Sequence, residues 1–214
     1  MEFVLIVPVL LLSLSVHEFA HAWVALREGD ATAERLGRVT LNPLPHIDVF
    51  GTILIPALLL ASKSGFLIGW AKPVPVDPRN FRNGGRSDLK VAVAGVAANL
   101  LMGVAFTLVM VLLVYARRTW PEAGLLHSLE VMAGAGISLN FLLAVFNLLP
   151  VPPLDGARVL YRLLPARLAA GYLRLHGVAV VVFFALFLTG AMSWVLWPAT
   201  LLERLSWLLI QWWT

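Results

Sequence analysis

Apolar residues in this chain come in long blocks, separated by short polar and basic stretches. Four blocks, 2–26, 88–116, 126–150 and 175–197, are long enough to cross a bilayer, which takes about 20 residues. Pro198 is expected to end the fourth. Beyond it, 201–213 carries a narrow polar stripe (Glu203, Arg204, Gln211) among tryptophans. That pattern suits a helix lying at the membrane interface, with a fifth crossing as the alternative. The block 50–61 is short for a span and suits a re-entrant segment. Pieces that look like strands flank it, 36–41 and 66–71, and Pro73 and Pro75 confine any pairing nearby to a sheet edge. The expected architecture is an all-α membrane bundle of four to six transmembrane helices. A small β-strand or re-entrant element should lie between the first and second spans. With no linker or internal repeat, 1–214 reads as one domain.

Composition supports the membrane assignment. Hydrophobic residues make up 60% of the chain and charged residues 13%, with mean hydropathy +0.86; soluble domains carry about 25% charged residues. The net charge of +4 does not indicate nucleic acid, because the basic residues lie in short loops between apolar blocks. There they suit anionic lipid head groups and the positive-inside rule. Absence of cysteine excludes disulfides, thiolate metal sites and thiol catalysis, so any metal must be held by His, Asp or Glu. The first apolar block lacks the basic start and small-residue cleavage site of a signal peptide. It leads straight into His17 and Glu18, and is read as an uncleaved helix.

His17-Glu-Phe-Ala-His21 carries the chemistry. Residues four apart share a helix face, so both imidazoles can reach one ion, and Glu18 can approach a water bound to it. A carboxylate at mid-membrane costs about 2.5–3.5 kcal/mol by insertion scales, which favours function over chance. Catalytic zinc takes a third protein ligand and leaves one position open. Asp155 is the candidate, in Asn147-Leu-Leu-Pro-Val-Pro-Pro-Leu-Asp-Gly156, where prolines break the helix. A helix-terminating turn with a capping aspartate is the alternative there. His46 and Asp48 either form a second metal site, compete with Asp155, or belong to a polar turn around Pro43 and Pro45; the turn is the simpler reading. Asn99 and Asn140 lie inside apolar helices, where an amide usually bonds a neighbouring helix, and are read as structural. His127 and His176 fall near helix ends and are read as interfacial.

These motifs resemble the site-2 protease family of intramembrane zinc metalloproteases. The resemblance extends over Gly37-Arg-Val-Thr-Leu-Asn-Pro-Leu-Pro-His-Ile-Asp48, Gly69-Trp-Ala-Lys-Pro-Val-Pro-Val76 and Ala94-Gly-Val-Ala-Ala-Asn99. It implies a zinc-dependent endopeptidase that cleaves transmembrane segments of membrane-protein substrates. It also implies one Zn2+ held by His17, His21 and Asp155, with Glu18 as general base and Asn147, Pro150 and Pro152 against the substrate backbone. Val96 departs from the proline usual after the glycine, which bears on a local kink. The expected form is compact, without PDZ or CBS domains.

A shared metal fixes topology, since spans 2–26 and 126–150 must then end on the same side. If 50–61 dips in and returns, 13 of the 16 Lys and Arg fall on that side; Arg117, Arg118 and Arg204 remain opposite. The positive-inside rule then puts the site towards the cytosol of a prokaryotic cell, in a multi-pass protein. A non-catalytic membrane metal-binding protein or a helix-binding pseudoprotease is the competing class. Against it, Glu18 and all three candidate ligands are present, and they gather at one depth.

Overall fold

A computed structural model describes residues 2–61, 69–121 and 124–213. The helices are α1 (Glu2–Arg27), α2 (Thr32–Arg35), α3 (Ile55–Ala61), α4 (Gly85–Thr119), α5 (Gly124–Asn147), α6 (Asp155–Leu163), α7 (Ala166–Arg174), α8 (His176–Leu188), α9 (Met192–Val195) and α10 (Trp197–Trp213). Helices α1, α4 and α5 are long and apolar enough to cross a membrane. They pack on one another, and glycines let them approach. A methyl on Gly103 would run into the Phe141 ring, and one on Gly136 into the Phe106 ring. On the outer side of α4, Leu101, Leu108 and Leu112 are exposed, as a lipid-facing stripe requires. Helix α4 runs unbroken through Val96.

α1 ends in a Schellman-type turn. Asp30 N–H donates to the Ala25 carbonyl and Gly29 N–H to that of Leu26, with Gly29 at φ +110°, a region that favours glycine. The Asp30 carboxylate, fully buried, then bonds Thr32, the Asn80 amide and Asp77 N–H. This latch brings the loop before α4 back across the end of α1.

Three expectations change. The strand-like pieces are not strands: among the described residues there is none. In 36–41 the chain turns, and just beyond it Asn42 N–H bonds Thr40 Oγ1 and Leu44 N–H bonds Asn42 Oδ1, leaving no ladder. Of 66–71, residues 66–68 lie outside the described residues and 69–71 have no regular structure. The block 50–61 forms a wide helical turn, Val49–Leu54, followed by α3. Trp70 N–H donates to the Gly51 carbonyl at 3.1 Å, which brings the chain at 70 back against the start of the block.

The expected fourth span breaks after Leu188, where Gly190 takes φ +74°. Pro198 sits at the start of α10 rather than ending the helix before it. Helix α10 does not lie apart at an interface but packs along the bundle. Glu203 accepts a 2.5 Å bond from Ser138, and Ile210 joins Met110, Ala133, Ile137 and Phe141 in the main core. At its end the Trp213 carbonyl accepts a hydrogen bond from Tyr115. Phe183 of α8 touches Phe146 near the end of α5.

Candidate metal centre

His17 and His21 stand one turn apart on α1, both buried. Asp155 opens α6, immediately after the turn that ends α5. That turn is tight because residue 156 is glycine; a methyl there would strike the Leu148 and Leu149 carbonyls, which are backbone and cannot step aside. α6 is fastened to the first turn of α4, where buried Asp88 accepts from Arg158 and Arg162, each at 2.5 Å. The fold thus carries Asp155 to the histidine pair. Its Oδ2 lies 3.3 Å from His17 Nε2 and 3.1 Å from His21 Nε2, and the two Nε2 atoms are 3.0 Å apart.

The outer nitrogens of both rings are committed. His21 Nδ1 meets the Val91 carbonyl at 2.7 Å, and His17 Nδ1 meets Asn99 Oδ1 at 2.6 Å. A carbonyl only accepts, so His21 Nδ1 carries the proton. For His17 the same conclusion follows through a buried chain of amides. Asn140 Nδ2 donates to the Gly136 carbonyl and to Ser13 Oγ, its Oδ1 accepts from Asn99 Nδ2, and Asn99 Oδ1 is left facing the ring. Neutral imidazole holds one proton, so both Nε2 atoms present lone pairs to each other and to a carboxylate. Asp155 Oδ2 is buried without a hydrogen-bond partner among the described residues. Three acceptors converging on one point repel unless a cation lies among them, and this donor set suits zinc. Gly95 keeps the space open: a methyl there would collide with His21 Nε2 and the His17 ring.

Of the other sequence candidates, Glu18 is half-buried, and its Oε2 accepts from Val74 N–H at 2.8 Å. Asn147 Nδ2 bonds the Leu143 carbonyl within its own helix. The exposed Pro150 accepts from the Tyr172 hydroxyl through its carbonyl, while Pro152 is buried and precedes a cis peptide bond. Pro152, Pro153, Leu154 and Tyr161 help line a largely apolar cavity of about 520 Å³. His46 is buried away from the trio, its Nε2 on the Thr40 carbonyl, and Asp48 caps the turn at Gly51. His127 is exposed at the opposite end of α5. Sequence reasoning missed Val91, Gly95 and the contact of Asn99 with His17. The Gly95-Val-Ala-Ala-Asn99 spacing was the available signal, since it sets a gap and an amide one helical turn apart.

Residues 114–190 match the model of peptidase family M50. A Bacillus subtilis protein named "Putative zinc metalloprotease YwhC" is 40% identical over 194 residues, 90% of this chain and 84% of that protein. This chain belongs to the M50 peptidases, the site-2 protease family. Two further M50 relatives, both named "Putative zinc metalloprotease Rip2", come from Mycolicibacterium smegmatis and Mycobacterium tuberculosis H37Rv. They are 34% and 32% identical over 158 residues, which is 72% of this chain and 55% of each relative. No solved structure matches the M50 chain at a significant level. Like the family, it is a multi-pass integral membrane protein whose substrates are membrane proteins.

Proposed function

We propose that this M50 peptidase is a zinc-dependent intramembrane endopeptidase in which His17, His21 and Asp155 hold the metal and Glu18 is the general base. The reading rests on one observation above all: two imidazole nitrogens and a carboxylate oxygen converge within 3.3 Å of one another. Zinc is the metal in the names of YwhC and Rip2, and when bound it would acidify a water and polarise the carbonyl under attack. Glu18 accepts the water's proton and returns it to the departing amine, so the C–N bond breaks to give a carboxylate and an amine. Among the described residues Glu18 Oε1 has no partner, which leaves it available for that proton. Asn99 and the Val91 carbonyl hold the two rings in the tautomer that offers Nε2. Asn147, Pro150 and Pro152, on the turn leading to Asp155, face the substrate backbone.

The site lies towards the cytosol. The block 50–61 is a re-entrant element, and α1, α4 and α5 cross, with α8 and α10 sharing a fourth passage. The excess of Lys and Arg in the loops at the site end supports this orientation. Residues 1–214 act as one domain.

Three variants purified in detergent test the assignment by zinc content and by cleavage of a labelled single-span peptide. Glu18→Gln should keep zinc and lose turnover. Asp155→Ala should lose both, and His46→Ala should keep zinc. Metal retained by Asp155→Ala but lost from His46→Ala would mean that the third ligand is misassigned.

A further inference from the structure

Glu18 does not stand free: Val74 N–H donates to its Oε2 at 2.8 Å. Val74 lies between Pro73 and Pro75, so it has the one amide donor in that triplet. The segment around it is pinned. Trp70 N–H bonds the Gly51 carbonyl, Lys72 N–H the His46 carbonyl at 2.8 Å, and Asp77 N–H the Asp30 carboxylate at 2.7 Å. The Val74 side chain is buried with Ala22 and Ala33, one turn beyond Glu18 along α1.

One side chain in this arrangement has no role in the chemistry described so far. Arg38 is only 8% exposed. Its Nη2 donates to the Lys72 carbonyl at 2.7 Å and towards the Pro73 carbonyl at 3.4 Å, and no carboxylate pairs with it among the described residues. Burying a guanidinium without a counter-ion is unfavourable, yet this one is spent on two backbone carbonyls directly before Val74. Pro73 fixes φ, so the Lys72 and Pro73 carbonyls and the Val74 amide move nearly as a unit.

We propose that Arg38 is a positioning residue for Glu18. It holds Lys72 and Pro73 so that Val74 N–H fixes Oε2 and leaves Oε1 turned to the water. This rests on the reading of Glu18 as general base. A base acts only within hydrogen-bond reach of its proton, so a carboxylate free to rotate would lose turnover before it lost substrate affinity. A single Arg38 nitrogen, Nη2, makes both contacts, so a lysine ammonium reaching the same place would restore them in part.

The test uses zinc-loaded full-length protein in detergent, with zinc content, peptide cleavage and amide exchange measured on each variant. A fragment covering 72–76 has exchangeable amides only at Lys72, Val74 and Val76, so Val74 can be followed. Its amide should exchange slowly in the wild type and in Glu18→Gln, whose side-chain oxygen still accepts. In Glu18→Ala and Arg38→Ala it should exchange at least about tenfold faster. Arg38→Ala should keep zinc and hold KM within about twofold while kcat falls by about 10–100-fold, the scale of a small misplacement. Arg38→Lys should recover part of that loss. Val74→Pro, which removes the donor and leaves Arg38 in place, should show the same kcat loss even if Arg38→Ala fails to fold. Turnover retained by Glu18→Gln would overturn the general-base reading and this proposal with it. Wild-type kcat in Arg38→Ala or Val74→Pro, beside an inactive Glu18→Gln, would overturn the proposal alone. Zinc lost from a folded Arg38→Ala would also overturn it, by placing Arg38 behind the metal site instead.

Discussion

Asn99 Oδ1 lies 2.6 Å from His17 Nδ1, at the inner end of a buried amide chain that starts at the Gly136 carbonyl. The chain links α1, α4 and α5 at one point and sets which His17 nitrogen is bare. Replacing Asn99 with leucine keeps the bulk and removes the acceptor. Zinc affinity should fall about 10–100-fold, the usual cost of losing such a partner, while Asn99→Asp should retain most of it. Competition with a chromophoric chelator reads this directly. Wild-type affinity in Asn99→Leu would make the contact merely structural.

Two glycines should be intolerant for different reasons. A methyl on Gly95 would meet His17 and His21 side chains, so Gly95→Ala should lose zinc with a modest change in melting temperature. A methyl on Gly156 would meet the backbone carbonyls of Leu148 and Leu149, so Gly156→Ala should lower both stability and zinc content. Calorimetry beside metal analysis separates the cases. Equal loss of stability in both variants would contradict the distinction.

Much of the site was legible because its spacing is local. His17 and His21 are four apart on one helix, and Asp155 follows a run of prolines that no helix continues through. The pairing of Asn99 with His17 was not legible. It depends on the register between α1 and α4, which Gly95 sets by close approach. The strand expectation failed at 36–41 because the Gly37 and Arg38 amides bond the Glu34 and Ala33 carbonyls at the end of α2 instead of a neighbouring strand. The break inside the fourth block was not legible, because averaged hydropathy does not register Gly190, whose positive φ follows the end of α8 without a polar residue. The polar stripe of 201–213 did not tell which way it faces: Glu203 accepts a bond from Ser138 of α5.

The latch at Asp30 gives a pH dependence. Burial pushes its carboxyl up, but bonds from Thr32, Asn80 and the Asp77 amide outweigh burial and hold it below the usual range. A lowered folded value stabilises fully above the unfolded pKa of about 3.9, and that contribution is lost as pH falls from there through the folded value. Melting temperature should therefore drop between about pH 5 and pH 3. Asp30→Asn should be less stable at neutral pH and show a shallower acid dependence. A wild-type melting temperature for Asp30→Asn at neutral pH would show that the latch contributes nothing.

The orientation of the bundle can be read with single cysteines, since the chain has none of its own. Arg82 is exposed in the loop before α4, at the site end, and Arg118 is exposed near the end of α4, at the other. If the site faces the cytosol, Arg118→Cys in intact cells should react with a membrane-impermeant thiol reagent and Arg82→Cys should not. Helix α4 spans Gly85–Thr119, long enough to separate the two positions by a full bilayer. The hydrogen bond from Trp70 N–H to the Gly51 carbonyl supports the re-entrant reading of 50–61. Reversed labelling would invert the orientation and leave the fold intact. Labelling of both positions across a sealed membrane would instead mean that 50–61 crosses, which is incompatible with His17, His21 and Asp155 sharing one ion.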